Sequence, residues 1–431
     1  MSNEASVKQG ASVAPRPASP LPATEASSLS NEALQALVDS AAVFNAYVAP
    51  DPACAIQAEM KNGVVTGIRC SGLLHRFDLE LDPPSHPCVR AANVLGEASG
   101  RVEMRWIIIP NSYAARPDTE PPPVPFDRTR SQRFSMQEMT FLFGDGREGF
   151  RSFGAGRTFP VICNGRSRTV VAAIGNITEG LGKFQGHNGT FTLCGELLPD
   201  GGFAGHVIVR VVDEQGNLRT SETLPPPAAM GQRADADFTY LAWLAQKGKG
   251  PIMENRPSFT PDGEVRGLNI AMDLKQGKSS FTVDQTHGFR SSILKVGDAI
   301  GLEEGYGRQS NPNVGPEGTA LNPFQFEGVA RYSFQDREGK TVGAIVTNVL
   351  EGRRFDFWFA AAPNRISWRF GFFGPIVYGT GCFRGAEGIF YGASHSFFDP
   401  PPGAHIITHC YFARLYDPTG KYRGALVSSM Q

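Results

Sequence analysis

The strongest constraint on this chain is a pattern of glycine and phenylalanine that it states twice. Gly175-x-Ile177-x-x-Gly180-x-Gly182-x-Phe184-x-Gly186-x-x-Gly189-x-Phe191 returns 199 positions later as Gly374-x-Ile376-x-x-Gly379-x-Gly381-x-Phe383-x-Gly385-x-x-Gly388-x-Phe390, and the same spacing carries His206 onto His405. A register kept over so many fixed positions implies two copies of one unit of about 200 residues. Glycine at every second or third position weakens a strand, so it needs a reason. Close approach of backbones, or sharp bending of strands as a small sheet closes on itself, supplies one, with the alternating phenylalanines filling the space left.

The rest of the chain reads as short strands. Val102 to Ile109, Gln137 to Phe143, Val170 to Ile174, Thr190 to Leu197 and His206 to Val212 are separated by Gly, Pro, Asn and Asp. With 49 Gly and 32 Pro, many tight turns fit and long helices do not. Two helices are expected. The first is capped by Ser30, with Leu34, Leu37, Val38, Ala41 and Phe44 on one face; the second runs from Asp235 to Lys247 after the Pro-rich break at Thr223 to Pro227. Long insertions at Arg116 to Asp127 and Glu303 to Asn322 are expected as loops. The predicted fold class is mainly β: two tandem antiparallel eight-stranded β-barrels, each preceded by a short helix. The expected boundaries are a disordered segment at 1–29, a first unit at 30–224, and a linker helix with a second unit at 225–431.

The Gly-x-Phe-x-Gly-x-x-Gly-x-Phe hairpin, followed by a long apolar strand, resembles that of the allene oxide cyclase and dirigent-protein family. The likeness covers about 40 residues of each half. It implies calycin-type barrels with apolar interiors, whose relatives steer cyclisation, isomerisation or coupling of hydrophobic, unsaturated molecules. Relatives are usually single barrels that oligomerise, whereas this chain joins two. The matching residues are the structural Gly and Phe positions, so no catalytic residue follows from the resemblance.

Bulk properties narrow the partners. A formal net charge of -1 gives no global field that would draw nucleic acid or an anionic membrane, and Arg128, Arg130 and Arg133 read as a solvated face. Seven cysteines, an odd number without a Cys-x-x-Cys pair, predict reduced thiols and a cytoplasmic setting. No stretch approaches the ~20 apolar residues that span a bilayer. No phosphate loop, nucleophile elbow or metal-ligand spacing is found, so neither an organic cofactor nor a metal is expected.

Strand alternation then selects candidate site residues. In the first copy, Thr192, Glu196, His206 and Arg210 fall on one face and are candidates for substrate binding. In the second, Tyr391 and His395 are expected beside His409 and Tyr411, a set able to exchange protons and hydrogen bond to an oxygen gaining charge. Two readings of this face stand: it lines the interior, or it is ordinary solvated surface. His206 and His405 also suit a structural role. The aromatic cluster Phe355, Phe357, Trp358, Phe359, Trp368, Phe370, Phe372 and Phe373 suits a core. The expectation is a cofactor-independent cyclase, isomerase or lyase acting on a hydrophobic small molecule. A non-catalytic carrier is the alternative, and one unit could be a filled support for the other.

Overall fold

The computed structural model describes residues 29–39, 42–53, 56–76, 100–108, 131–199, 202–218, 237–247, 258–259, 265–266, 280–293, 297–310, 324–335, 340–357, 359–362, 367–397 and 407–422. The expected disordered segment 1–29 therefore lies almost wholly outside it, as do the Pro-rich break and the insertion at 116–127. Among the described residues the protein is mainly β, with one short helix, and no helix is long and apolar enough to cross a membrane.

The helix, α1 (Asn31–Asp39), starts where the sequence places its signals but stops short of the expected stripe, since Phe44 falls in the first strand, Ala42–Pro50. Ser30 caps it, its Oγ accepting from Ala33 N at 3.2 Å, and Glu32 sits in the first turn, where a negative charge suits the helix dipole. Leu34 and Val38, one turn apart, are fully buried.

Nine strands follow in the N-terminal half: β1 (Ala42–Pro50), β2 (Gln57–Lys61), β3 (Val64–Arg76), β4 (Gly100–Ile108), β5 (Gln132–Phe143), β6 (Glu148–Cys163), β7 (Arg166–Leu181), β8 (Gly189–Leu197) and β9 (Phe203–Val211). Each pairs antiparallel with its neighbour in the order β1-β9-β8-β7-β6-β5-β4-β3-β2, and β1 also bonds to β3. The C-terminal half contributes β10 (Phe238–Lys247), the short pair β11 (Ser258–Phe259) and β12 (Val265–Arg266), then β13 (Ser280–Ile293), β14 (Gly297–Ser310), β15 (Phe324–Gln335), β16 (Thr341–Phe357), β17 (Ser367–Gly381), β18 (Gly388–Phe397) and β19 (Ile407–Tyr416). Here β13 to β19 pair in sequence, and β10 bonds to both β13 and β19.

Two expectations fail in this half. Of the expected helix Asp235 to Lys247, the described part from Phe238 is strand, because β10 supplies the edge that β13 and β19 both need, and ladder pairing overrides a weak local helical pattern. The insertion at Glu303 to Asn322 is strand as far as Ser310.

The glycine motifs adopt matching conformations. A Cβ on Gly180 would stand 1.7 Å from the Phe184 carbonyl oxygen, and one on Gly379 2.0 Å from that of Phe383, so both turns fold back too closely for any side chain. Gly182 and Gly381 both take positive φ, +61° and +54°. The turns close alike, Gln185 N donating to Gly182 O at 3.0 Å and Arg384 N to Gly381 O at 3.1 Å.

Beyond β8 the spacing changes. Gly189 faces Val211, but Gly388 faces Leu415, so the last strands correspond at 204 positions, five more than the motifs. Asp213 and Asp417 confirm the larger spacing. Each accepts from a backbone N–H five residues on, Leu218 N and Tyr422 N, both at 3.1 Å. His206 therefore corresponds to Cys410, not to His405, which lies between β18 and β19 in sequence and outside the described residues.

Each sheet has a face that gathers a core. On the first it is Phe141, Phe150, Phe191, Leu193, Val207 and Val209, with Phe191 edge-on to Phe141 at 5.7 Å. On the second it includes Tyr332, Ile345, Phe372, Phe390 and Tyr411. The opposite faces of β7 to β9 and β17 to β19 meet each other. A Cβ on Gly371 would lie 2.5 Å from Ile174 Cγ2 and 2.7 Å from Thr192 Oγ1, which measures how closely the halves approach along this seam.

Candidate functional site

The polar face selected from the sequence is this seam. Thr192, Glu196 and Arg210 share one side of the first sheet, as alternation predicts, but that side neither lines an interior nor meets solvent. It is pressed against the other half. Thr192 Oγ1 donates to Gly392 O at 2.9 Å, and Arg210 Nη1 donates to Ala393 O at 3.3 Å. Glu196 is 5% exposed and joins two cations: Arg414 Nη1 at 2.6 Å and Arg168 Nη1 at 3.1 Å. The Arg414 guanidinium also stacks 3.6 Å from the centroid of Phe238, and Arg168 lies 5.1 Å from the same ring. Such a pair is held at the cost of desolvating three charges, and the hydrogen bonds and ring contacts offset it.

Tyr391 and His206 form the second polar link. Both are fully buried, and Tyr391 Oη and His206 Nδ1 share a hydrogen bond at 2.7 Å. Burial drives the His206 pKa down to about 3, with the Arg414 charge acting in the same direction, so the imidazole is neutral at ordinary pH. Phe412 stacks on Tyr391 at 5.7 Å and lies 4.8 Å from the His206 ring.

The expected quartet Tyr391, His395, His409 and Tyr411 is divided. Register explains why: Tyr391 stands opposite Phe412, and Tyr411 opposite Gly392. Opposed residues share a face, so Tyr391 and His395 look into the seam while Tyr411 looks into the core of the second sheet. The sequence comparison moved the last strand by an odd number of residues and so turned it over. Tyr411 packs instead with Tyr332 at 5.0 Å, Phe372 at 5.4 Å and Phe390 at 5.6 Å. His409, on β19, pairs with Ser394 of β18, and its side chain lies outside the described residues.

His395 lies deeper in the seam, 1% exposed, between Phe357 at 4.6 Å and Phe359 at 5.3 Å. Burial holds its pKa well below the usual histidine range, helped by the charges of Arg210 and Arg369, while a backbone contact with Val38 opposes them. The aromatic run read as one core thus serves three places. Phe370 and Phe372 join the second core, Phe373 stacks on Phe159 across the seam, and Phe357 and Phe359 meet α1 and His395.

Sequence reading missed Arg414, Arg168, Arg369 and Tyr332. Arg414 had a signal: the Asp-x-x-Gly turns Asp213 to Gly216 and Asp417 to Gly420 set the last strands at 204 positions and align it with Arg210. Arg168 shares a face with Glu196 across the neighbouring strands β7 and β8, so alternation could have found it; Tyr332 had no signal, since its partners come from distant strands.

Among the cysteines, Cys70, Cys163, Cys194 and Cys382 are free thiols, and burial pushes the Cys163 thiol up to about 11. Among the described residues no group of three or more His, Cys, Asp or Glu could hold a metal ion. Comparison with known protein families, with curated proteins and with solved structures finds no match to this chain.

Proposed function

We propose that this chain is a pair of eight-stranded antiparallel barrels of calycin type, arisen by internal duplication, in which the N-terminal barrel is a filled support and the C-terminal barrel binds a hydrophobic, unsaturated small molecule. The paired-barrel reading draws on β1 and β10, each bonded on both sides within its half, and on the matched glycine turns. The likeness to the allene oxide cyclase and dirigent family rests on the Gly-Phe motif alone.

One observation carries the binding reading: the corresponding core positions of the two halves differ in kind. Where the first half has Ala173 and Val207, the second has Phe372 and Tyr411, at spacings of 199 and 204. With Tyr332 and Phe390 these rings form an aromatic wall, Tyr332 stacked on Phe390 at 4.5 Å. Flat faces suit conjugated ligands, and phenol hydroxyls suit a polar end. A carrier or steering protein fits best, because Tyr391 and His395 are committed to the seam. A cofactor-independent cyclase, isomerase or lyase is the second reading, and it draws on the two phenols, which can stabilise an oxygen gaining charge.

The test uses an uncharged fluorescent probe, N-phenyl-1-naphthylamine, with native mass spectrometry for co-purified ligand. The purified protein should take up the probe saturably, and Tyr411→Val, which gives the second half the residue of the first, should weaken uptake about tenfold. Absence of uptake, or equal uptake by the variant, overturns the reading. Under the enzymatic reading Tyr411→Phe keeps probe binding and lowers turnover by ~10²- to 10⁴-fold.

A further inference from the structure

Carboxylates meet arginines across the seam at Glu196, which receives Arg414, and at Glu351, which receives Arg157 at 3.1 Å, but the position of the second half that corresponds to Glu196 holds no acid. On β8, Glu196 receives Arg414 and Arg168. The corresponding position on β18, 199 residues on, is His395, and the charges that bear on it are those of Arg210 and Arg369. A neutral imidazole thus stands among cations where the other crossing has a carboxylate.

Arg369 is the plainer anomaly. It is 4% exposed, its Nη1 donates to Asn188 Oδ1 at 2.8 Å, and its guanidinium lies 4.4 Å from the centroid of Phe357. Its Nε has no hydrogen-bond partner, and among the described residues none of its contacts is a carboxylate. Burial alone pulls its pKa down to about 9. A buried guanidinium is ordinarily retained against a carboxylate or phosphate, whose two oxygens match its donor fork. Neither nitrogen of His395 makes a hydrogen bond of ordinary geometry, and the polar group that reaches the ring is the Val38 backbone of α1. Over His395 lies α1, whose Leu34 and Val38 pack with Phe357, Phe359, Ala362 and Val212.

We propose that Arg369 and His395, beneath α1, bind a small oxyanion, a carboxylate or phosphate group that stands where Glu196 stands at the other crossing. Arg369 supplies the charge and a free Nε–H, and the neutral imidazole supplies one N–H. Entry requires α1 to move outward, which a nine-residue helix with one apolar stripe allows more readily than a strand bonded on both sides. The site is separate from the aromatic wall and does not depend on it.

The test is thermal unfolding of the full chain in acetate, octanoate or inorganic phosphate, against chloride at equal ionic strength. An oxyanion at about 100 times its dissociation constant should raise Tm by about 3 °C, and Arg369→Met should abolish the shift. Stabilisation by all three anions identifies a free-anion site. Stabilisation by octanoate alone, lost in Arg369→Met, identifies the head group of a tailed ligand. Hydrogen exchange on the unaltered protein keeps the test decisive should the variant not fold: bound anion should slow exchange in Asn31–Asp39 and Ser367–Gly381. No shift with any anion, a shift that survives in Arg369→Met, or protection confined to other segments overturns the proposal.

Discussion

Arg210 and Arg414 hold corresponding places on β9 and β19, and each sends its guanidinium across the seam into the other half. Arg210 meets the Ala393 carbonyl at 3.3 Å and Arg414 the Glu196 carboxylate at 2.6 Å. The seam is therefore a polar network wrapped in rings, and it ties stability to a few buried groups.

Removing one partner of a buried ion pair leaves the other charge uncompensated. Glu196→Gln should lower unfolding free energy by about 3–5 kcal/mol in urea titrations. The double substitution Glu196→Leu with Arg414→Leu should recover much of that loss, because it removes both charges. Equal losses for single and double variants would contradict this account.

Tyr391→Phe deletes a hydroxyl and strands His206 Nδ1 in a dry site. The expected cost is about 1–3 kcal/mol of stability with probe uptake unchanged, since the residue lies in the seam and not on the aromatic wall. A loss of uptake without a loss of stability would place Tyr391 in a ligand site.

Acid should loosen the seam before carboxylates titrate. The His206 pKa is about 3 in the folded protein against an ordinary value of 6.5, and that of His395 is also depressed. Between these values the unfolded chain binds protons that the folded one refuses, so stability falls as pH drops below 6.5. Each histidine contributes a slope of up to about 1.4 kcal/mol per pH unit. Urea unfolding between about pH 6.5 and pH 5 should show it, and His206→Phe in a Tyr391→Phe background should roughly halve it.

Gly180→Ala and Gly379→Ala should each cost about 1–3 kcal/mol or more, because the added methyl meets a backbone carbonyl that no rotamer change can move. Similar losses in calorimetry would reflect the shared turn geometry. A neutral result at either position would break the correspondence between the motifs.

Much of the architecture was legible in the sequence because glycine spacing and strand alternation are local signals. Asn31–Asp39, the late strands of the first half and the pairing of the glycine turns all follow from them. Failures came where distant residues decide. Phe238 to Lys247 is a strand because two other strands bond to it, and Tyr411 left the expected site because more residues separate β18 from β19 than β8 from β9, which shifts the register. Alternation shows that Thr192, Glu196 and Arg210 share a face. What that face meets is set by the other half of the chain.

The crossings of the seam have a consequence for how such a surface can change. In a contact between two identical subunits every substitution is made twice, so an acid placed against an arginine on one side is placed so on the other. Covalent linkage lifts that rule. Glu196 opposes Arg414 while the matching position on β18, His395, lies near Arg210, a difference that identical partners could not show. The single chain thus lets one end of the seam hold a closed ion pair while the other end is built from different groups.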